Sequence, residues 1–453
     1  MKFPRGGVRY TSFDGGVSID TACREPDRYS FWDGIRDSTQ PMIPRGGGFS
    51  YAAASFSSSA ITTEHHRFNR ILAFSPEKQT LTAEAGMTLG ELQAFLTPKG
   101  FYLSVQPGHP KITLGGCIGA DVHGKNQFRD GTFITRINSI DLFHPTYGRL
   151  LLSPEKDAGI FKLTCGGYGL TGDILNVELK VTPIPSGPSA YIKMNRTLLP
   201  DIGSLPDALI EASKRADLVY TWHDFTASGK SFGRGFLNEG RFATAEECTQ
   251  RPAPQAKRRV SKLSAENRGN WGLPFFNGLT AAPFNQFYHM AQRLSSSEGL
   301  VSLYEFLFPV HNKEAYFKLF GRAGFMEYQV VVPLAGFNEY IDAIRARLRT
   351  RSCPVTLASA KLFAGKQDLL RFTGEGICLA LNFPRSSAGN AFAAFLDELL
   401  PKAGAIPNII KDSRLPAKVV AATYPQYGLF KERLAAFDPK RIYRSELSER
   451  LKL

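Results

Sequence analysis

The residues best placed to hold a reactive group lie in three glycine-bearing turns. They are Pro44-Arg45-Gly46-Gly47-Gly48-Phe49-Ser50-Tyr51, Leu114-Gly115-Gly116-Cys117 and His123-Gly124-Lys125-Asn126. Glycine reaches positive φ without steric cost and leaves the backbone bare. Successive turn amides can then converge into a concavity for an anion, and a diphosphate-bearing nucleotide is the expected occupant. No G-x-G-x-x-G opens a helix after a strand, which disfavours a Rossmann pyrophosphate site. A second dense stretch, Lys411-Asp412-Ser413-Arg414, comes late in the chain.

The elements around these turns follow from apolar spacing and turn residues. Ile71–Phe74 and Leu81–Ala85 flank Ser75-Pro76-Glu77-Lys78-Gln79 and read as a hairpin. Thr88 with Glu91 is a capping box, and Leu89, Leu92, Phe95 and Leu96 mark the amphipathic helix it opens, ended by Pro98 and Gly100. Ile140–Phe143 and Leu150–Leu152 form a second hairpin around Pro145–Gly148, and Ile174–Val181 alternates as a strand. Pro183, Pro185, Gly187 and Pro188 then mark a domain boundary. Beyond it, Gln329–Val332 reads as a strand and Phe337–Leu348 as a helix. Residues 251–270 are polar and basic, followed by the aromatic Trp271–Phe276. This stretch reads equally as a solvated surface insertion or as a mobile lid near 251–275 that touches a membrane.

Composition narrows the partners. The 453 residues allow two or three domains, and 42 glycines with 34 phenylalanines suit a loop-rich protein built on sheets. A net charge of +14 admits nucleic acid, an anionic membrane surface or a phosphorylated substrate. No zinc-finger, helix-turn-helix or RNP-like pattern is present, so nucleic acid is disfavoured. Six scattered cysteines without C-x-x-C point to a reducing compartment and exclude the usual zinc frameworks; no metal is expected. The amino terminus lacks the apolar core of a signal peptide, and no apolar run approaches the roughly 20 residues of a span. A cytoplasmic location follows, with peripheral membrane contact open.

Arg45–Tyr51, Gln106-Pro107-Gly108, Thr113–Gly116, Asp121–Asn126, Gly166–Gly172 and Lys411–Arg414 occur in that order. Together they resemble the vanillyl-alcohol-oxidase-type (PCMH-type) flavoproteins, and among them the decaprenylphosphoryl-β-D-ribose 2′-oxidase group, nearly end to end. The resemblance implies an α+β fold. A PCMH-type FAD-binding domain would span residues 1–187 and be completed by 405–453. A substrate domain based on an antiparallel sheet flanked by helices would be inserted at 188–404. It further implies FAD contacts from Arg45, Gly46, Gly47, Gly48, Phe49, Ser50, Tyr51, Gly108, Thr113, Leu114, Gly115, Gly116, Ala120, Asp121, Val122, His123 and Ile174. The implied chemistry is FAD-dependent oxidation of a sugar secondary hydroxyl to a keto sugar, namely the ribose 2′-hydroxyl on a polyprenyl-phosphate carrier. A separate NADH- or NADPH-dependent reductase would complete epimerisation to arabinose. The alternatives are a soluble sugar, alditol or aldonolactone oxidase of the same superfamily, or a catalytically degenerate flavin-binding protein.

Within that resemblance single residues take roles. Phe49 stands where related sugar oxidases often carry a histidine bonded to the flavin, so FAD should be non-covalent. Lys411 is the leading catalytic candidate, a cation that stabilises negative charge as hydride is transferred; otherwise it is a surface lysine paired with Asp412. His123 contacts flavin or substrate, and acts as base only within hydrogen-bond reach of the sugar hydroxyl. Lys125, Trp222, Gln329, Lys361 and Phe363 are the substrate-pocket candidates, each with an ordinary alternative as core, outward strand residue or solvated charge. Three positions depart from the family. Its pocket cysteine falls on Ala380, with Cys378 two positions earlier on the same strand face; its tyrosine falls on Asn408; and a pocket glutamine falls on Glu327.

Overall fold

The computed structural model describes residues 5–249, 274–309 and 314–453. The fold is α+β, and its sheets are antiparallel apart from two pairings in the first. That first sheet has four strands in the order Arg5–Thr11, Ser18–Arg24, Ile61–Glu64 and Met42–Arg45, so Arg45 ends an edge strand and opens the glycine turn. A five-stranded sheet follows, ordered Ile71–Ser75, Thr80–Glu84, Asp173–Lys180, Ile137–His144 and Gly148–Leu152. Both expected hairpins are in it, and Asp173–Lys180 lies at its centre, buried throughout its first three residues and at alternate ones from Leu175 on.

Local signals set the element ends. Thr88 Oγ1 accepts from the Glu91 amide, and Glu91 Oε2 accepts from the Thr88 amide at 2.9 Å. This closed box starts the helix Leu89–Leu96 and contributes about 1 kcal/mol. Leu89, Leu92 and Leu96 are then buried in the same core as Leu81 and Ala83. Gly100 ends the segment at φ +77°, a conformation that glycine adopts freely.

The largest sheet has eight strands. Their order is Glu298–Ser302, Tyr191–Leu199, Gly235–Phe242, Leu218–His223, Leu357–Phe363, Gly376–Pro384, Phe325–Val332 and Ile406–Pro407. Phe325–Val332 includes the expected Gln329–Val332 strand, and the expected helix is Phe337–Thr350. Helices Leu205–Ser213, Phe337–Thr350 and Ser387–Ala403 bury their apolar residues with this sheet in the main core. Register decides what the other face presents. Gln329 pairs with Ala380 and Ser359 with Ala380; Glu327 pairs with Asn382 and Leu357 with Asn382. Because side chains alternate across a strand, these positions share a face.

The chain end returns to its beginning. The Met42 amide donates to the Ile442 carbonyl at 2.8 Å, and Tyr443 Oη donates to Asp173 Oδ2 at 2.6 Å. The Glu446 amide donates to the Phe56 carbonyl. The basic stretch at 251–270, and with it most of the lid reading, lies outside the described residues.

Candidate functional site

The glycine turns and the polar face of the eight-stranded sheet enclose a cavity of about 830 Å³. That is in the upper range of small-molecule sites, which run to about 1,000 Å³. One side is built from the loop segments 44–51, 107–113, 121–123 and 168–172, from Ile174, and from Gly115, Gly116, Gly119 and Ala120 of the helix Leu114–Ala120, which forms where a glycine turn was expected. The other side is built from strands and carries Trp222, Glu327, Gln329, Ser359, Lys361 and Asn382, with Asn408 and Lys411 closing its end.

Bareness serves two purposes on the loop side. A Cβ on Gly46 would overlap Thr113 Oγ1, and one on Gly47 would overlap the Lys111 carbonyl, so these glycines let two loops nest. Gly108 differs: it lines the cavity, and nothing lies within 4 Å of its Cβ position. A side chain there would meet open space rather than protein. A bulky group with a flexible phosphate link fits a cradle so cleared, which is the test that a dinucleotide such as FAD has to pass. Asp121, by contrast, has both carboxylate oxygens engaged by the chain that follows it. It accepts from Thr132 Oγ1 at 2.7 Å and the Ile134 amide at 2.8 Å, which fixes the backbone of Ala120–His123. Burial raises its pKa, and Arg371 partly offsets this.

Lys411 projects from the short 3₁₀ turn Ile409–Lys411, where Asn408 Oδ1 accepts from the Ile410 amide. The residues that follow anchor it. Arg414 binds Asp397 with two hydrogen bonds, at 2.6 and 3.0 Å, and pairs with Asp412 at 2.9 Å. Ser413 Oγ donates to buried Asp14 Oδ2 at 2.6 Å. Asp412 is thus paired with Arg414, and the partner of Lys411 is Glu327, with Nζ to Oε1 at 3.1 Å. The same ammonium lies 4.0 Å from the centre of the Tyr51 ring, which is within cation–π range.

His123 stands at the meeting of the two sides. Burial, reinforced by the charges of Lys361 and Lys411, holds its imidazole well below the usual range, so it is neutral near pH 7. The edge of Phe363 lies 4.8 Å from it, centroid to centroid. Lys361 has its pKa lowered by burial and by Lys411, with Cys378 and Glu327 opposing. Gln329 accepts from Asn408 Nδ2, and its carbonyl accepts from the Asn408 amide at 2.8 Å. Asn408 therefore takes its place in the wall by clamping Gln329.

Fourteen of the positions read as FAD contacts line the cavity together with His123 and Ile174, as do Trp222, Gln329, Lys361 and Lys411. Three positions lie off its wall. Leu114 is fully buried in the core, and the next helix residues, Gly115 and Gly116, face the cavity instead. Lys125 points away: its ammonium donates to the Leu307 carbonyl at 2.7 Å behind Tyr220, and burial lowers its pKa well below the ordinary value. Phe363 packs with Val331, Phe372 and Cys378 behind His123. Cys378 is likewise buried, its thiol pushed up to about 12 chiefly by burial.

Sequence reading missed other wall residues. His65 is held by Asp173 at 2.7 Å, and His109 lies against Phe49 at a tilt of 34° with centroids 4.2 Å apart. Glu314 approaches His109 and Lys111 at 3.4 and 3.5 Å. The His109 hydrogen bond and the Lys111 charge hold its carboxyl at about 2 against the opposing effect of burial. Only the position of His109 beside Pro107-Gly108 offered a signal. Among the described residues, Cys23, Glu25 and Glu64 are the only group close enough to share a metal ion. Tyr10 donates to Glu64 at 2.6 Å, His66 pairs with it at 3.1 Å and Arg67 pairs with Glu25, so the group reads as an ion-pair cluster.

Comparison with known proteins agrees with this geometry. A family model described as an FAD binding domain matches residues 30–151, which carry most of the loop side. Decaprenylphosphoryl-beta-D-ribose oxidase of Mycolicibacterium smegmatis is 27% identical over 424 residues, covering 91% of this chain and 89% of the relative. L-gulonolactone oxidase of Mus musculus is 30% identical over 117 residues, 26% of each chain. Mitochondrial D-lactate dehydrogenase [cytochrome] 1 of Saccharomyces cerevisiae is 26% identical over 146 residues, covering 31% of this chain and 24% of the relative. With an FAD binding domain forming one side of the cavity and titratable groups lining the other, the chain is an FAD-dependent oxidoreductase that carries this domain.

Proposed function

We propose that the enzyme oxidises a secondary hydroxyl of a sugar carried on a polyprenyl phosphate, the ribose 2′-hydroxyl, to the keto sugar. The observation that carries this reading is the pairing of a cleared loop cradle with a wall bearing Lys411, Lys361, Gln329 and neutral His123. FAD, when bound, supplies the acceptor for the hydride of the carbinol carbon. Lys411 would donate a hydrogen bond to the reacting oxygen, whose proton passes to neutral His123 as the hydride leaves the carbon. His123, held neutral, can hydrogen-bond the sugar without adding charge. Gln329, fixed by Asn408, orients hydroxyls, and Lys361 holds the phosphodiester. Trp222 supplies an apolar surface. The cofactor is held non-covalently, because Phe49 offers no atom for a bond; acid precipitation should release all of the yellow colour, and a yellow pellet would contradict this.

The lipid carrier is supported by the helix Ala281–Leu294. Its Phe284, Tyr288 and Gln292 line the cavity, while Phe287, Met290 and Leu294 are exposed on the outside, Leu294 at 85%. An apolar face joined to the cavity by one helix suits peripheral contact with the inner face of the plasma membrane. No helix among the described residues is long and apolar enough to cross a membrane. The keto sugar would pass to a separate NAD(P)H-dependent reductase for epimerisation. The deciding experiment measures dye reduction with polyprenylphosphoryl ribose against a panel of free sugars, alditols and aldonolactones. Turnover with the lipid-linked sugar is expected; turnover confined to the free compounds would replace it with the soluble-oxidase reading.

A further inference from the structure

The cavity holds one carboxylate in a place where it governs charge at the reacting end. Glu327 Oε1 lies 3.1 Å from Lys411 Nζ, and Asn382 Nδ2 donates to the other oxygen, Oε2, at 3.4 Å. Both side chains of the pair face the cavity, with 27% of Lys411 and 11% of Glu327 exposed, so an incoming ligand meets both. Strand register holds the carboxylate there, since Glu327 pairs with Asn382, which pairs in turn with Leu357.

We propose that Glu327 is a specificity-determining residue that reserves the reacting end for a neutral polyhydroxylated group and excludes substrates bearing a carboxylate beside the carbinol carbon. The inference rests on the oxidase reading above and deepens it. A 2-hydroxy acid places its carboxylate within one bond of the reacting carbon, and such a carboxylate needs an uncommitted cation. Here the Lys411 cation is already matched. The hydroxy acid would have to displace Glu327, or else sit beside it as a like charge. A sugar hydroxyl has no such conflict: it can donate to Glu327 and accept from Lys411 in the same arrangement. The anionic part of a substrate is then directed away from this pair, toward Lys361.

The test needs no turnover. Purified FAD-loaded wild type and Glu327→Gln are titrated with oxalate and with D-lactate while the visible flavin spectrum is followed for the perturbation that binding causes. Wild type should respond weakly, and E327Q should bind oxalate about tenfold more tightly or better, since the amide no longer competes for Lys411. Glu327→Ala gives the same readout should the amide variant fail to hold FAD. Equal dissociation constants in wild type and variant, or tight oxalate binding by wild type, would overturn the proposal. Failure of the lipid-linked sugar as substrate would instead strike the oxidase reading, and would leave these constants unchanged.

Discussion

The two sides of the cavity are made in different ways. The loop side comes from short segments in which neighbouring residues do related work: Gly46 and Gly47 let loops nest, Gly108 stays clear, and Asp121 pins the backbone beside it. The sheet side is assembled from residues far apart in sequence, at 222, 327, 329, 361, 382 and 411. Its properties come from pairs that only register creates, such as Glu327 with Lys411 and Gln329 with Asn408. A loop-built cradle tolerates few changes of shape, and a sheet-built wall can exchange side chains singly. Such a division would let one FAD binding domain be combined with different substrate walls.

Substitutions on each side should separate the two. The largest effect is expected for Lys411→Ala, which should keep its yellow colour yet slow flavin reduction by substrate by about 100- to 1,000-fold. Rapid-mixing anaerobic kinetics would measure it, and an unchanged rate would show the lysine to be dispensable.

Next comes acid. His223 lies on the same strand as Trp222 and is fully buried; burial lowers its pKa from 6.5 to about 4, against a hydrogen bond to the Gly233 carbonyl. Below pH 6.5 the unfolded chain takes up a proton that the folded chain refuses until about pH 4. Stability is therefore complete above that window and falls as pH drops through it, by on the order of 3 kcal/mol. Denaturant melts at the two ends of the window should show this loss, and it should shrink in His223→Asn.

A smaller effect is expected on the loop side. In Gly47→Ala the new methyl overlaps the Lys111 carbonyl, so stability should fall by about 1–3 kcal/mol and flavin occupancy with it. Thermal unfolding and the visible-to-ultraviolet absorbance ratio report both. The smallest effect should come from Lys125→Met. The Leu307 carbonyl loses its donor at a cost of about 1 kcal/mol, while kcat/KM changes by no more than about twofold. A large loss of kcat/KM would put Lys125 back among the substrate contacts.

The same contrast explains what was legible in the sequence. The hairpins, the Thr88–Glu91 capping box and the glycine turn after Arg45 are local, so their residues announce them; Leu114–Cys117 also read as a turn, but Thr113 caps it into the helix Leu114–Ala120. Lys411 was legible through its motif, but its partner was not, because Glu327 reaches it across separate strands and a turn. Asn408 looked like a gap left by a missing tyrosine, and it proves to be the clamp on Gln329. Lys125 looked like a cavity cation because it follows His123 closely; the backbone turns between them and sends the ammonium to Leu307 instead. The partnership of His65, Asp173 and Tyr443 joins three distant segments and left no local trace.

The most direct test of the central claim is an anaerobic titration of wild type with a short-chain polyprenylphosphoryl ribose, following flavin colour and product together. The account predicts stoichiometric bleaching with one keto sugar formed per flavin. A flavin that stays oxidised in the presence of excess lipid-linked ribose would contradict it.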